Sequence, residues 1–544
     1  MIIARRELFK LGAAAAAVGA GGHLLDLTRP AAAQTPKRGG TFRLRSHVQP
    51  VHFDPHATLA FSTMIPLSYA YSRLVKVKAG SSVLPGTQPV EADLAESWER
   101  QGDTAYVFKL KKGVRFHPKP PVNGRELTAE DVKFTYERFL ASTNPNRGTL
   151  EAIDKIEAVD KYTVKFTLKE PFAWFVDALA STSTWIVAKE SVEKLGDLKK
   201  PESVVGTGPW MLERYDPGAR LTFVRNPNYF ASGLPYVDNV EITIDTDPAS
   251  GFAAFLAGKY DFGPEYGMVV RRSDLDVAKQ RKPNLQTRDY TVVFGGITWV
   301  KLDQEPFKDI RVRRALAMAS SWREILETSA WALGHGLPNT AVPAALKDWA
   351  LPIDQLPADG RRLYEQDTPG AKRLLAEAGF PSGIKFPLET TPGYGPDYVD
   401  GVQIELKNWK AAGIDAELKM KEYGAYISST IFGKFEKVAS GLFGAWTDPD
   451  SYLCRYYLPG QPLNAAGVND PKLTDMIKLQ RRTFDVAKRK GLIYDIQRYV
   501  AQQAYLLFGP SVGAVAAWEP YVKNFGPNIG HDYGGRLMAA WLDK

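Results

Sequence analysis

Apolar and polar residues alternate at Tyr106, Phe108 and Leu110, at Val164, Phe166 and Leu168, and at Val240, Ile242 and Ile244. A period of two is the pattern of a half-buried strand, so each run predicts one, and residues 41–44 predict another after Gly39-Gly40. Elsewhere the period lengthens to that of a helix. Val132, Tyr136, Phe139 and Leu140 share a face behind Thr128-Ala-Glu-Asp131, a capping-box-like start with Asp131 in place of Glu or Gln. Thr368-Pro369 predicts an N-cap and a proline at the first helical position, with a stop at Gly379. Asp470-Pro471 opens a helix carrying Leu473, Met476 and Ile477. Interleaved strands and helices predict mixed α/β domains. Loops at 84–86, 204–209 and 392–396 are rich in Gly and Pro, but none is long enough to be a linker. The domains are therefore expected to pack together, with the chain crossing between them more than once.

The chain's 544 residues amount to about three to five domain-sized units. Its 44% hydrophobic and 24% charged residues exclude a disordered or fibrous chain. The longest charge-free apolar stretch of the body, 505–518, is interrupted by Gly509, Pro510 and Gly513 and falls short of the roughly 20 residues of a membrane span. Net charge is +8, from 69 Lys and Arg against 61 Asp and Glu, but the two signs are interspersed. That describes a solvated surface and not a nucleic-acid footprint. The single cysteine, Cys454, excludes an intramolecular disulfide, a Cys-rich zinc site and a redox Cys-x-x-Cys pair.

The first 33 residues read as an export signal: a charged start, an Ala/Gly-rich apolar run, and a small-residue cleavage site ending at Ala33. Arg5-Arg6-Glu7-Leu8-Phe9-Lys10 resembles the twin-arginine (Tat) pattern; an ordinary secretory signal with a chance arginine pair is the alternative. Cleavage there removes four basic and two acidic residues, leaving a net charge of +6. No cysteine near the site could carry a lipid, so a soluble periplasmic product is expected.

Catalytic motifs are absent or degenerate. Gly509-Pro510-Ser511-Val512-Gly513 matches the nucleophile elbow G-x-S-x-G, but the downstream His531-Asp532 are adjacent and in the wrong order for a triad. A strand turn is the better reading, and a secreted serine hydrolase using Ser511 is the alternative function. His52, Asp54 and His56, with His47 nearby, could suggest a metal site, but Pro55 opposes helical ligand spacing and favours a turn built on Asp54-Pro55. Gly206-Thr-Gly208 lacks the third glycine of a dinucleotide loop, and residues 251–259 lack the spacing and hydroxyl of a P-loop. No metal or cofactor is expected, and the balance favours a binding protein.

A set of segments then resembles, in order from Gly39 to the C-terminus, the family 5 solute-binding proteins of ABC transporters, the peptide/nickel type. Gly39-Gly40-Thr41-Phe42 and Phe53-Asp54-Pro55-His56 are similar to that family's opening. Leu94 to Trp98 (LAESW), YVFKLKKGVRFH and NGRELTAEDVKFTYER resemble its signature region. Gly206 to Phe230 resembles its GTGPY…RNP-Y segment, and Phe255 to Asp261 its A-G-x-x-D turn. Pro306 to Leu316, AKRLLAEAGF and Trp446-Thr-Asp448-Pro-Asp450 complete the series.

The resemblance implies an α/β, two-lobed periplasmic-binding-protein fold (type II, Venus-flytrap) with an additional α/β domain inserted in the first lobe. Lobe I would combine 34–73, 188–290 and 513–544; the additional domain would span 74–187 and lobe II 291–512. It implies a monomeric receptor, not an enzyme, that captures a peptide-like or other small polar solute between the lobes and delivers it to an ABC permease and its ATPase. Ligand contacts would come from Trp446, Asp448 and Asp450, in the place where peptide-binding members hold the ligand's amino group; a turn-capping role for Asp448 is the alternative. Arg311 and Arg313 would be structural. After Ala319 the family often shows Asp-Arg, whereas this chain has Ser320-Ser321.

Overall fold

The computed structural model describes residues 35–141, 146–265, 268–329, 332–444, 446, 448–528 and 530–544. The export signal, with Arg5, Arg6 and Ala33, lies outside the described residues. The fold is that of the unit formed by Lys37–Lys544.

Three sheets frame this unit. The first orders Thr41–Ser46, Asn239–Ile244, Arg220–Arg225 and Trp210–Asp216; only its first pair is parallel. Phe42, Leu44, Leu221, Phe223, Val240 and Ile242 bury its inner face. The second orders Ala95–Gln101, Ala105–Leu110, Thr163–Leu168 and Ile153–Asp160, all antiparallel. The helix Ala129–Phe139 lies on it, and its Tyr136 ring meets Phe166 at 5.4 Å between centroids. Asp131 accepts from the Thr128 N–H at 2.9 Å and also from Arg125, a charge-assisted bond that the shorter acid can make while capping. The third sheet has seven strands. At its centre Gln286–Val300 and Leu506–Trp518 run antiparallel along almost their whole lengths, with register breaks between Thr291 and Gly295 and between Gly295 and Ile297.

Two sequence expectations are corrected. Residues 509–513 are the interior of the 13-residue strand Leu506–Trp518 and not a turn, because Pro510 and Ser511 pair with Gly336–Pro338 and Ser511 also faces Gly295. The helix Thr368–Glu377 is capped by Asp367, whose side chain accepts from the Gly370 N–H at 2.8 Å, so Thr368 is already helical. A carboxylate is the stronger acceptor for the orphan N–H groups and displaces the hydroxyl from the cap.

Short polar stitches join the parts of the chain packed around these sheets, the first, second and third regions in the order of the sheets. Asp54 is fully enclosed and takes two bonds from Arg138 on the second region's helix. Arg138 also donates to His56 Nδ1 at 2.8 Å, so the His56 proton sits on Nε2 and is donated to the Trp185 carbonyl. Burial and Arg138 hold His56 down at about 4. Gly206 and Gly208 lie against the Ala70 backbone, where a Cβ at Gly206 would fall 2.1 Å from the Ala70 carbonyl oxygen. His117 bonds both ends of that Gly-Thr-Gly segment. On the opposite side the Ala173 N–H donates to the Arg481 carbonyl at 2.7 Å, and Trp174 Nε1 donates to Gln480. A single apolar core runs from Phe108, Phe166 and Phe175 into Tyr452, Tyr457 and Leu473.

Arg313 is buried and donates to the carbonyls of Phe307, Lys308, Gln503 and Ala504, while Arg311 pairs with Asp309 at the surface. Among the described residues no helix is long and apolar enough to cross a membrane.

Candidate functional site

A cavity of about 270 Å³ lies where the three regions converge. The central strand pair builds its back wall. The register breaks there fall at glycines, and a Cβ on Gly295 would meet Asn339 and the Pro510 carbonyl at 2.6 and 2.7 Å. Only glycine lets the two strands approach at this point. His47, Phe61 and Met64 face the cavity from the first region, and Ser181, Thr182 and Ser183 from the second. The helix Pro396–Ala411 and the tyrosines 394, 398 and 423 form the facing wall. These rings pack edge to face at 5.2 and 5.7 Å, which fixes them as rigid apolar surface with a polar tip. Burial pushes the phenols of Tyr398 and Tyr423 far up, so both are neutral donors at physiological pH.

An ion-pair chain reaches across one end. Arg271 pairs with Asp397 at 3.0 Å and lies 3.7 Å from Glu265, which Arg45 approaches at 3.5 Å. Arg271 follows the strand Val269–Val270, whereas Asp397 opens the helix of the facing wall. Burial raises the carboxyls of Glu265 and Asp397, opposed by the arginines. His47 is driven down to about 4 by burial, then by Arg45 and Arg271, and is neutral at pH 7.

Of the three residues expected at the ligand, Trp446 lines the cavity. Its N–H donates to the Tyr452 hydroxyl, the Gly444 N–H donates to the Tyr456 hydroxyl, and the Arg455 guanidinium lies 4.4 Å above the indole. The following helix, Pro449–Tyr457, thus holds the loop from below. Asp448 caps that helix, accepting from Ser451 N and Oγ at 2.8 and 2.7 Å. It lines a smaller side chamber of about 30 Å³, shared with Trp446, Arg73 and Asp532. Burial pushes Asp448 up to about 6. Asp450 faces neither space: it takes a bond from Gln480 at 2.5 Å and an ion pair from Arg481 at 3.2 Å, and burial raises it to about 6.

Ser511 is fully buried and donates to Asn339 at 2.8 Å; among the described residues no acid–base partner is bonded to it. His52 accepts from the Asp54 N–H, and among the described residues no group of three His, Cys, Asp or Glu could hold a metal.

Sequence reasoning missed Arg271, Asp397 and Glu405. Glu405 had a signal: Tyr398, Val402, Glu405 and Trp409 fall at helical spacing, a carboxyl within an otherwise apolar stripe. The Ser320-Ser321 departure falls beside it, for Ser320 Oγ accepts from Trp409 Nε1 at 2.9 Å and lies 3.3 Å from Glu405.

The family model of the bacterial extracellular solute-binding proteins, family 5 middle, matches residues 89–464. Di/tripeptide-binding protein 1 of Pseudomonas aeruginosa is 29% identical over 489 residues, covering 84% of this chain and 86% of that protein. The periplasmic binding protein DppA of Helicobacter pylori, solved with the peptide STSA, superposes with a TM-score of 0.81 at 23% identity, over 93% of this chain and 99% of that one. AgaA of A. tumefacien R10, solved with agropinic acid, gives 0.80 at 24%, over 93% and 99%.

Proposed function

We propose, from the premise that the chain belongs to the bacterial extracellular solute-binding proteins of family 5, that its cavity takes a short peptide for delivery to an ABC importer. Members of this family bind solutes and do not transform them, and the hydrolase reading of Ser511 has no support: that side chain is sealed inside a strand. One observation carries the peptide reading. The cavity is lined by chain from around all three sheets and walled by rigid tyrosines and Trp446, with ionised groups confined to a few points, as a site for a small polar ligand requires. A related protein is named for di- and tripeptides, which supports the same class.

In this reading Trp446 touches the ligand directly and Asp448 meets its amino group from the side chamber, while Asp450 acts by holding the helix beneath. The lobe limits at 290 and 512 fall inside the two long central strands, which supports those strands as the crossing segments. Closure of the lobes completes the cavity, so ligand binding favours the closed state, which a permease can recognise. Export by the twin-arginine signal at Arg5-Arg6, cleavage after Ala33, a soluble periplasmic location and a monomeric state belong to the same proposal.

The test is a thermal-shift screen of di- and tripeptides against opines and sugars. Binding to the folded state alone raises stability by about 2.7 kcal/mol at a hundredfold excess over Kd. The expected result is a saturable rise in Tm with peptides. A rise with opines or sugars but with no peptide would overturn the ligand class.

A further inference from the structure

Glu405 is the group in the cavity whose chemistry is left incomplete. It lies on the helix Pro396–Ala411, eight residues and therefore about 12 Å of helix from Asp397. Its side chain is half-buried and lines the cavity. Gly401, one turn before it, leaves the path open: a Cβ there would touch only Ile325, at 3.7 Å.

An ionised carboxylate offers about four acceptor positions. Glu405 has two long bonds, from Ser320 Oγ at 3.3 Å and from Thr298 Oγ1 at 3.5 Å. Each donor has a closer acceptor elsewhere. The Ser320 hydroxyl lies 3.0 Å from the Leu316 carbonyl, and that of Thr298 lies 3.4 Å from Ser440. Ser440 is in turn shared with Tyr398 at 3.0 Å. A hydroxyl has one proton to give, so neither bond to Glu405 is secure.

Among the described residues no cation compensates it. The side chains bonded to it are the uncharged hydroxyls of Ser320 and Thr298; Arg271, which lines the same cavity, is paired with Asp397. On its own helix Asp397 is committed to Arg271 and Lys407 to Glu324, while Asp400 is exposed. A buried carboxylate without a partner is costly, and a positive charge arriving with a ligand removes that cost.

We infer that Glu405 makes the floor of the cavity a subsite for an organic cation, the protonated amine or guanidinium of a basic side chain on the bound peptide. The class of ligand rests on the peptide reading above; the cation preference rests on Glu405. Burial holds the carboxyl up at about 7, opposed only by Ser320 and Thr298. Below that pH Glu405 must release its proton before it can pair with the ligand. Affinity for a basic peptide therefore climbs from pH 5.5 to 7 and levels off above it, while that for an uncharged isostere does not climb.

The experiment is calorimetry with alanyl-lysine and alanyl-norleucine at pH 5.5 and 8, together with thermal shifts by butylammonium chloride, on the wild type and on Glu405→Gln. The expected wild-type preference for the lysine peptide is about tenfold or more at pH 8, or 1.4 kcal/mol per factor of ten, and smaller at pH 5.5. Glu405→Gln abolishes the preference, so that the two dipeptides bind with equal affinity. Glu405→Asp keeps the charge one methylene further back and retains part of the preference, which guards against misfolding of either variant. Equal wild-type affinities, or a preference that survives Glu405→Gln, overturn the subsite and leave the peptide reading standing. If neither dipeptide binds but butylammonium raises the melt of the wild type and not of Glu405→Gln, the subsite stands and the peptide reading falls. No response to any probe overturns both.

Discussion

Gly206→Ala tests whether the Gly-Thr-Gly segment serves as a seam between regions. A Cβ at Gly206 would lie 2.1 Å from the Ala70 carbonyl oxygen, 2.8 Å from Tyr71 Cδ1 and 2.9 Å from the Ala70 carbonyl carbon. Non-bonded heavy atoms settle at about 3.5 Å, so the two backbones must part by more than about 1 Å. Four hydrogen bonds span this seam: Gly208 N to the Ala70 carbonyl at 2.9 Å, His117 N to the Gly206 carbonyl at 2.8 Å, Gly206 N to His117 Nδ1 at 3.3 Å, and His117 Nε2 to the Gly208 carbonyl at 3.1 Å. Overpacking costs about 1–3 kcal/mol, and each bond lost costs about 0.5–1.5 kcal/mol net. With two bonds lost, the expected destabilisation is about 2–6 kcal/mol. Urea unfolding followed by tryptophan fluorescence measures it. The control is Gly491→Ala, within the helix Val486–Gln503, where an added Cβ meets nothing; it should stabilise by about 0.5–1 kcal/mol. A Gly206→Ala variant within about 1 kcal/mol of the wild type, at unchanged urea dependence, would refute the close-packed seam.

The Glu405 carboxyl rises from 4.5 to about 7 on folding, so its charge opposes folding progressively between those pH values and fully above them. Glu405→Gln should flatten that part of the stability–pH curve and add roughly 1–3 kcal/mol at pH 8 without ligand; an unchanged curve means that the carboxyl is already satisfied. Asp54→Asn breaks the pair of buried Asp54 with half-buried Arg138 and should cost about 1.5–3 kcal/mol at pH 7. Burial raises the Asp54 carboxyl, but Arg138 and His56 outweigh it and hold it low, so the wild type should lose this advantage as pH falls below about 4 and converge with the variant; a constant gap down to pH 2 would contradict that. Arg271→Ala removes the ion pair across the cavity's end and should weaken peptide binding mainly through faster dissociation, measured by stopped flow. A serine-directed fluorophosphonate should leave Ser511 unlabelled; labelling lost in Ser511→Ala would reopen the hydrolase reading.

The fold was legible wherever burial is one-sided. Val240, Ile242 and Ile244 alternate because one face of a sheet is wet, and all three lie on the strand expected. Where both faces are covered, periodicity vanishes: residues 505–518 carried no alternation and concealed a 13-residue central strand. The helix cap moved from Thr368 to Asp367 because two adjacent residues can both cap and only charge and geometry choose between them. The site was harder to read. The family's segment order pointed to Trp446, which lines the cavity, and to Asp448, which lines the side chamber, but the Arg271–Asp397 pair joins residues 126 positions apart, and nothing local marks either. Glu405 left a trace only as a charge on an apolar stripe, a pattern that surface helices also produce.

The back wall of the cavity joins strands more than 200 residues apart in the chain. Until Leu506–Trp518 has been synthesised, Gln286–Val300 has no partner along one edge, and an unpaired edge is a template for wrong pairing. The closing residues are needed as well: the Gly534 N–H bonds to Ser68, and Asp532 pairs with Arg73. Synthesis therefore delivers a chain whose N-terminal sheets can fold early, while the cavity comes into being only once residues 506–534 have been made. A truncated product, however well folded at its start, would be empty-handed.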